Sequence, residues 1–270
     1  MIACRSSKRR YPVQVDGMAF FHEPERQPAL RVPAVIVGLL LVLVAVFVVE
    51  SVAPPLTLDS IIKNYAFYPA RYSHAFLAAH HVAPQSFWER AIPFVSYIFL
   101  HGNIMHLVIN CVWLLAFGSI VARRLGSLLF IVFFLLCGAA GAAAHLVTNW
   151  GANEATIGAS GAIAGTMAMG FRIIALIDAR DLPGYAAAVS GGIRRHTPLA
   201  PLLSSRILVW SAVWLVINLI AGLSGFGGAP GTGPQLIAWQ AHMGGYIAGL
   251  LLAGPFDALA FRISPPLPSA

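Results

Sequence analysis

Six long apolar runs decide what this chain can fold into. Val32–Val49, Ile104–Ala122, Leu128–Val147, Ile157–Ile177, Ile207–Leu223 and Leu236–Gly254 each have roughly the 17–25 residues that a helix needs to cross a bilayer. Arg172 is the one charge inside a run, close enough to its end for the long stem to snorkel to the interface. In lipid every backbone N–H and C=O must be satisfied within the fold, so such runs become packed helices. Composition excludes the soluble alternatives. Apolar residues make up 58% and charged residues 10% of the 270 positions, with a mean hydropathy of +0.77. That leaves too few polar groups to coat a soluble globule. The expected fold is an all-α polytopic membrane protein of six transmembrane helices, not a soluble enzyme, a nucleic-acid module or a disordered chain. No A-x-A-like cleavage site follows the first run, which therefore reads as a retained signal-anchor.

The formal net charge is +7, and the basic residues are unevenly placed. Arg5, Lys8, Arg9, Arg10, Arg26 and Arg31 precede the first run; Arg123 and Arg124 separate runs two and three. Arg172, Arg180, Arg194, Arg195 and Arg206 lie at or between runs four and five, and Arg262 follows run six. Only Lys63, Arg71 and Arg90 fall on the opposite side. The positive-inside rule then predicts cytoplasmic termini in a cell (plasma or inner) membrane. It also implies a basic cytoplasmic tail over 1–31, a membrane domain over 32–254 and a short cytoplasmic tail over 255–270.

The connections differ in kind. The first external loop, from Glu50 to about His101, contains Phe87, Trp88 and Tyr97, and part of it should rest in the interface. Gly225–Gln235 reads as a flexible external link, and Leu182–Ser205 as a plain inner connector. Trp150, Trp210 and Trp239 sit near run ends as expected interfacial anchors. Cys4, Cys111 and Cys137 are expected to be free thiols.

Polar groups inside a membrane are costly, so each asks for a functional explanation. Three clusters stand out: His101-Gly-Asn-Ile-Met-His106-Leu-Val-Ile-Asn110, Gly158-Ala-Ser160-Gly161, and Ala241-His242-Met-Gly-Gly245-Tyr-Ile-Ala-Gly249. Each lies at the outer end of an even-numbered run, so the topology brings all three to one depth on one side. Ser160 becomes a nucleophile only when a base takes its proton, and His242 is the nearest plausible base. Small residues at Gly158, Gly161, Gly245 and Gly249 allow runs four and six to approach closely. No Asp or Glu occupies the outer half of a run, so the expectation is a Ser–His dyad. His106 and Asn110 share a helix face and can donate to a developing oxyanion together with the Ser160 backbone N–H. His101 precedes that helix and is expected to hold the loop. His145, Asn218 and Gln240 match no motif and are read as structural.

The ordered pattern His-x4-His-x3-Asn, Gly-x-Ser-Gly and Ala-His-x2-Gly-x3-Gly over six spans resembles the rhomboid intramembrane serine proteases. The resemblance implies Ser160 as nucleophile, His242 as general base and acid, His106 and Asn110 as oxyanion donors, and a structural role for His101. It further implies a water-filled cavity open to the outer face, cleavage of other proteins' transmembrane segments near that face, and no metal or organic cofactor. Two positions depart from the family pattern. Trp88 and Arg90 are split by Glu89, where many members have a Trp-Arg pair. Ala164 stands where many members have an aromatic residue four after the serine, so either another side chain orients His242 or its ring is less constrained.

Other classes fit less well. A metalloprotease would need an H-E-x-x-H helix, which His101 and His106 do not supply. A His/Asn-lined transporter would place polar groups near the midplane, with inverted repeats and broken helices. A catalytically silent relative that only binds membrane helices has no reason to keep both Ser160 and His242. The expected partners are the lipid bilayer and transmembrane substrate segments, with no nucleic acid.

Overall fold

The apolar runs fold as helices, and so does much of the chain between the first two. The computed structural model describes residues 11–15, 18–22, 32–83, 85–175, 199–224 and 238–263. Cys4, the link Gly225–Gln235 and positions 182–198 of the Leu182–Ser205 connector lie outside the described residues. The chain divides into two units, Met1–Arg31 and Val32–Ala270.

In the first unit, β1 (Tyr11–Val15) pairs antiparallel with β2 (Met18–His22), Tyr11 opposite His22 and Val15 opposite Met18. The sequence reading of this tail holds no strand. The signal it passes over is Asp16-Gly17, a dipeptide that favours tight hairpin turns.

The second unit is helical. In chain order its helices are α1 (Ala34–Val52), α2 (Pro55–Tyr65), α3 (His74–Ala79), α4 (Phe87–Ala91), α5 (Pro93–Ser96), α6 (Ile104–Leu125), α7 (Ser127–Thr148), α8 (Ser160–Ile174), α9 (Ser205–Ser224) and α10 (Trp239–Ile263). Five of them, α1, α6, α7, α9 and α10, are long and apolar enough to cross a membrane.

Run four differs from expectation. It folds as the 15-residue α8, beginning at Ser160 instead of Ile157, and 11 of its residues are buried. The start is set by Gly158, whose φ of +114° belongs to a region that side chains disfavour and that breaks helical continuity. Being enclosed by protein, α8 does not have to match the thickness of lipid.

Two other boundaries move. α1 continues through Glu50 to Val52, so Glu50 is a buried helix residue and not the first loop residue. α10 runs past Gly254, through Pro255, to Ile263. There Arg124 makes a two-pronged ion pair with Asp257, with Nε and Nη2 at 2.6 and 2.9 Å from the two carboxylate oxygens. The Arg172 guanidinium donates to the Ala200 and Leu250 carbonyls at 2.9 and 3.1 Å, tying α8 to α10. Trp210 packs edge-on against Phe171, and Trp239 covers Gly222. Both serve helix packing, whereas Trp150 is exposed as an anchor would be.

The first loop is folded rather than loose. Phe67, Tyr72, Phe94 and Tyr97 form an aromatic cluster beneath α2 to α5, and Phe87 and Trp88 are exposed beside it. Ser86 and Glu89 form a reciprocal cap at the start of α4. The loop also grips the segment leading into α8. Phe67 and Thr156 exchange backbone hydrogen bonds at 3.0 and 2.9 Å, and the Gly158 N–H donates to Tyr97 O at 2.9 Å.

The centre of the bundle is a seam of small residues. A Cβ on Gly245 would run into the Gly161 carbonyl, and one on Gly249 into Gly165. A Cβ on Gly141 would come within 2.7 Å of the Ala241 carbonyl. With no side chains between them, α7, α8 and α10 meet backbone to backbone, and dispersion contacts across that seam do the work that hydrophobic exclusion does in water.

Candidate active site

The Gly-x-x-x-G strip on α10 and the glycines of α8 bring the first turns of the two helices together, and two polar side chains meet there. Ser160 is the first residue of α8, where backbone N–H groups have no partner within the helix. His242 lies one turn into α10. Its Nε2 is 2.7 Å from Ser160 Oγ. On the other edge of the ring, Nδ1 is 2.7 Å from Asn218 Oδ1 of α9. Asn218 Nδ2 donates to the Trp214 carbonyl at 2.9 Å. That bond makes the other amide atom, the one facing His242, the oxygen. Since an amide oxygen only accepts, Nδ1 carries the imidazole proton and Nε2 is left to accept from the Ser160 hydroxyl.

Asn218 is the residue that the sequence reading leaves as structural. Its only sequence signal is a polar side chain in an apolar run, and nothing in the spacing links it to a histidine 24 residues away on another helix.

The face of α6 lies against the same turn. His106 covers the bare side of Gly158, where a Cβ would sit 2.6 Å from its Cε1 and Nε2. The start of α6 is capped by Asn103, whose Oδ1 accepts from the His106 N–H at 2.8 Å. Asn110 is buried, and its Nδ2 donates to the His106 carbonyl at 3.0 Å, which uses one of the two protons on that nitrogen.

His101 stands just outside. Its backbone N–H donates to Glu50 Oε2 at 3.2 Å, linking the end of α1 to the entry of α6. Its ring is buried 5.1 Å from that of His106, and its Nε2 has no hydrogen-bond partner. Burial, with His106 adding to it, holds this imidazole well below its ordinary range, at about 4, against the opposing pull of the Phe99 carbonyl.

Ala164, one turn below Ser160, leaves room that Tyr246 of α10 occupies. Tyr246 is buried, stacks on Trp214 with ring centroids 4.4 Å apart, and shares a 2.6 Å hydrogen bond with Ser211 Oγ. His145 meets Asn149 at 3.2 Å on α7. Cys137 is a buried free thiol and Cys111 a half-buried one. Arg90 lies over the Tyr72 ring at 5.5 Å and, with Trp88, belongs to the first loop. Among the described residues, no three His, Cys, Asp or Glu side chains gather as metal ligands would.

The model of the rhomboid domain matches residues 84–256. The chain belongs to the rhomboid family. No curated protein matches it. The matched span runs from within the first loop, before α4, into α10, so it holds Ser160, His242, His106, Asn110 and Asn218 alike. A rhomboid-family bundle with several apolar helices is a membrane protein in contact with the lipid bilayer.

Proposed function

We propose that this rhomboid-family protein is an intramembrane serine endopeptidase that cleaves transmembrane segments of other membrane proteins near the outer face. The observation that carries the reading is the 2.7 Å contact between Ser160 Oγ and His242 Nε2. A hydroxyl at that distance from an unprotonated imidazole nitrogen can transfer its proton as the oxygen attacks a carbonyl carbon. His242 then returns the proton to the leaving amide nitrogen, and a water molecule resolves the acyl-enzyme by the same route in reverse. The developing oxyanion would be met by the Ser160 backbone N–H, by His106, which lies against Gly158, and by Asn110, one turn along α6 from His106. Cytoplasmic termini, a tail over 1–31 and a protease domain from residue 32 through the end of α10 belong to this proposal. The positive-inside count supports them.

A fluorophosphonate probe and a transmembrane reporter test it together. The wild type should be labelled and should cleave. Ser160→Ala should do neither while remaining folded in detergent, and His242→Ala should come close to that. His106→Ala and Asn110→Ala should keep weak cleavage, with kcat lower by about 10²–10³ and little change in KM. Robust cleavage by Ser160→Ala, or a wild type inert to both reagents, ends the protease reading.

A further inference from the structure

Resting on the protease reading above, we infer that Asn218 of α9 is a positioning residue for the reaction, holding His242 in the tautomer and orientation that activate Ser160. The geometry is complete on both sides of the ring. Asn218 Oδ1 and Ser160 Oγ each lie 2.7 Å from a different ring nitrogen, so the imidazole is pinned at both edges. The amide itself is fixed by its 2.9 Å bond to the Trp214 carbonyl, so it cannot flip to present a donor to Nδ1.

The proton accounting follows. The Ser160 hydroxyl proton passes to Nε2 as Oγ forms its bond to the substrate carbonyl carbon. The ring becomes an imidazolium with both nitrogens protonated. Nδ1–H keeps donating to the neutral amide oxygen, which takes no proton at any stage. The imidazolium surrenders the Nε2 proton to the leaving nitrogen. Without the Asn218 acceptor, the Nδ1–H tautomer loses its partner and the ring can rotate or present Nε2–H to Ser160, which accepts nothing. Tyr246 packs one turn away and bonds to Ser211, so it offers no acceptor to Nδ1.

The test measures the rate of fluorophosphonate labelling at Ser160 as a function of pH, together with kcat and KM on a transmembrane reporter. Asn218→Ala should lower labelling and kcat by about 10- to 100-fold with little change in KM, the range seen when the partner orienting a metal-bound imidazole is removed. Asn218→Asp keeps an acceptor in the same place and should recover most of the rate. Its carboxylate favours the imidazolium, so the acid limb of the profile should move up by about one unit or more. Ser211→Ala, which alters the same helix contact without touching Nδ1, should label within about 3-fold of wild type. If Asn218→Ala labels at the wild-type rate, or Asn218→Asp is as slow as Asn218→Ala, the side chain only fills space and the inference falls. Those results leave the protease reading intact so long as Ser160→Ala takes no label. Label on Ser160→Ala removes the protease reading itself.

Discussion

α10 is held on its two sides by different means. Toward α7 and α8 it presents Gly244, Gly245 and Gly249, and the neighbouring backbones come so close that one methyl group would not fit. Toward α9 it presents side chains: Tyr246 against Ser211 and Trp214, His242 against Asn218, and Trp239 against Gly222. The spacing of Ser211, Trp214, Asn218 and Gly222 is that of a single helix face, and Val213, Val216, Ile217 and Ile220 on the rest of α9 are exposed. Only 11% of the most apolar stretch of α9 is buried, against 39% for α6 and α7. A seam of backbone contacts has no rotamers to adjust and fixes a distance. A seam of side chains can loosen by steps. Ser160 stands across the first kind of seam from His242, and Asn218 across the second.

The largest effect should come from forcing the rigid seam apart. Gly245→Leu drives a branched side chain at the Gly161 carbonyl, and no folded protein should survive gel filtration in detergent. Gly245→Ala, with a single methyl, should still cost about 3 kcal/mol or more and lower the thermal midpoint. A Gly245→Ala protein as stable as wild type would mean that the two helices can separate freely.

On the looser side, Trp214→Ala removes the stack on Tyr246 and should cost about 2 kcal/mol, below the full core value because the ring is only partly covered. It should leave a folded protein whose Ser160 labels several-fold more slowly, since a loosened α9 displaces the main-chain carbonyl that holds Asn218. Equal damage from Trp214→Ala and Gly245→Ala, read as thermal midpoints, would erase the distinction between the seams.

Acid chooses neither side, because His101 lies outside both. With a folded value of about 4 and an ordinary value near 6.5, the unfolded chain takes up the proton first. The stability tied to the neutral ring is therefore whole above about pH 6.5 and lost as the pH falls toward 4. Thermal midpoints measured across that window should drop in the wild type and drop less in His101→Leu. The smallest effect belongs to Ser211→Ala, about 1 kcal/mol for one hydroxyl pair, visible as a shift in the thermal midpoint. A loss as large as that of Trp214→Ala would make the hydrogen bond, not the ring stack, the main tie of α9.

Much of this was legible in the sequence, for definite reasons. Apolar runs announce helices because lipid tolerates little else, and the Gly245/Gly249 strip announces a close approach because few other residues permit one. Ser160 and His242 stand out because polar groups are rare at such depth. Asn218 did not, because pairing across helices depends on their relative rotation, which periodicity within one helix leaves undetermined. Glu50 was hidden for a related reason. A carboxylate beside an apolar run reads as the start of a loop until the backbone of His101 is found against it. The start of α8 depended on a single backbone angle at Gly158, and the short helices of the first loop on caps too local to stand out in an apolar sequence.

The shortness of α8 has a consequence for supply. Fifteen residues rise about 22 Å, about 8 Å less than the hydrocarbon thickness of a typical bilayer. The end at Ala175 is closed by protein, with the Ala200 N–H on the Arg172 carbonyl at 2.9 Å and Arg206 on the Ala175 carbonyl at 2.7 Å. The shortfall is then left to the end that carries Ser160. On the protease reading, each bond hydrolysed there would consume one water molecule, which has to reach Ser160 across that shortfall in a medium that otherwise excludes water. On the same reading a thicker bilayer would lengthen the path of that water, so membrane thickness would bear on the supply of the second reactant.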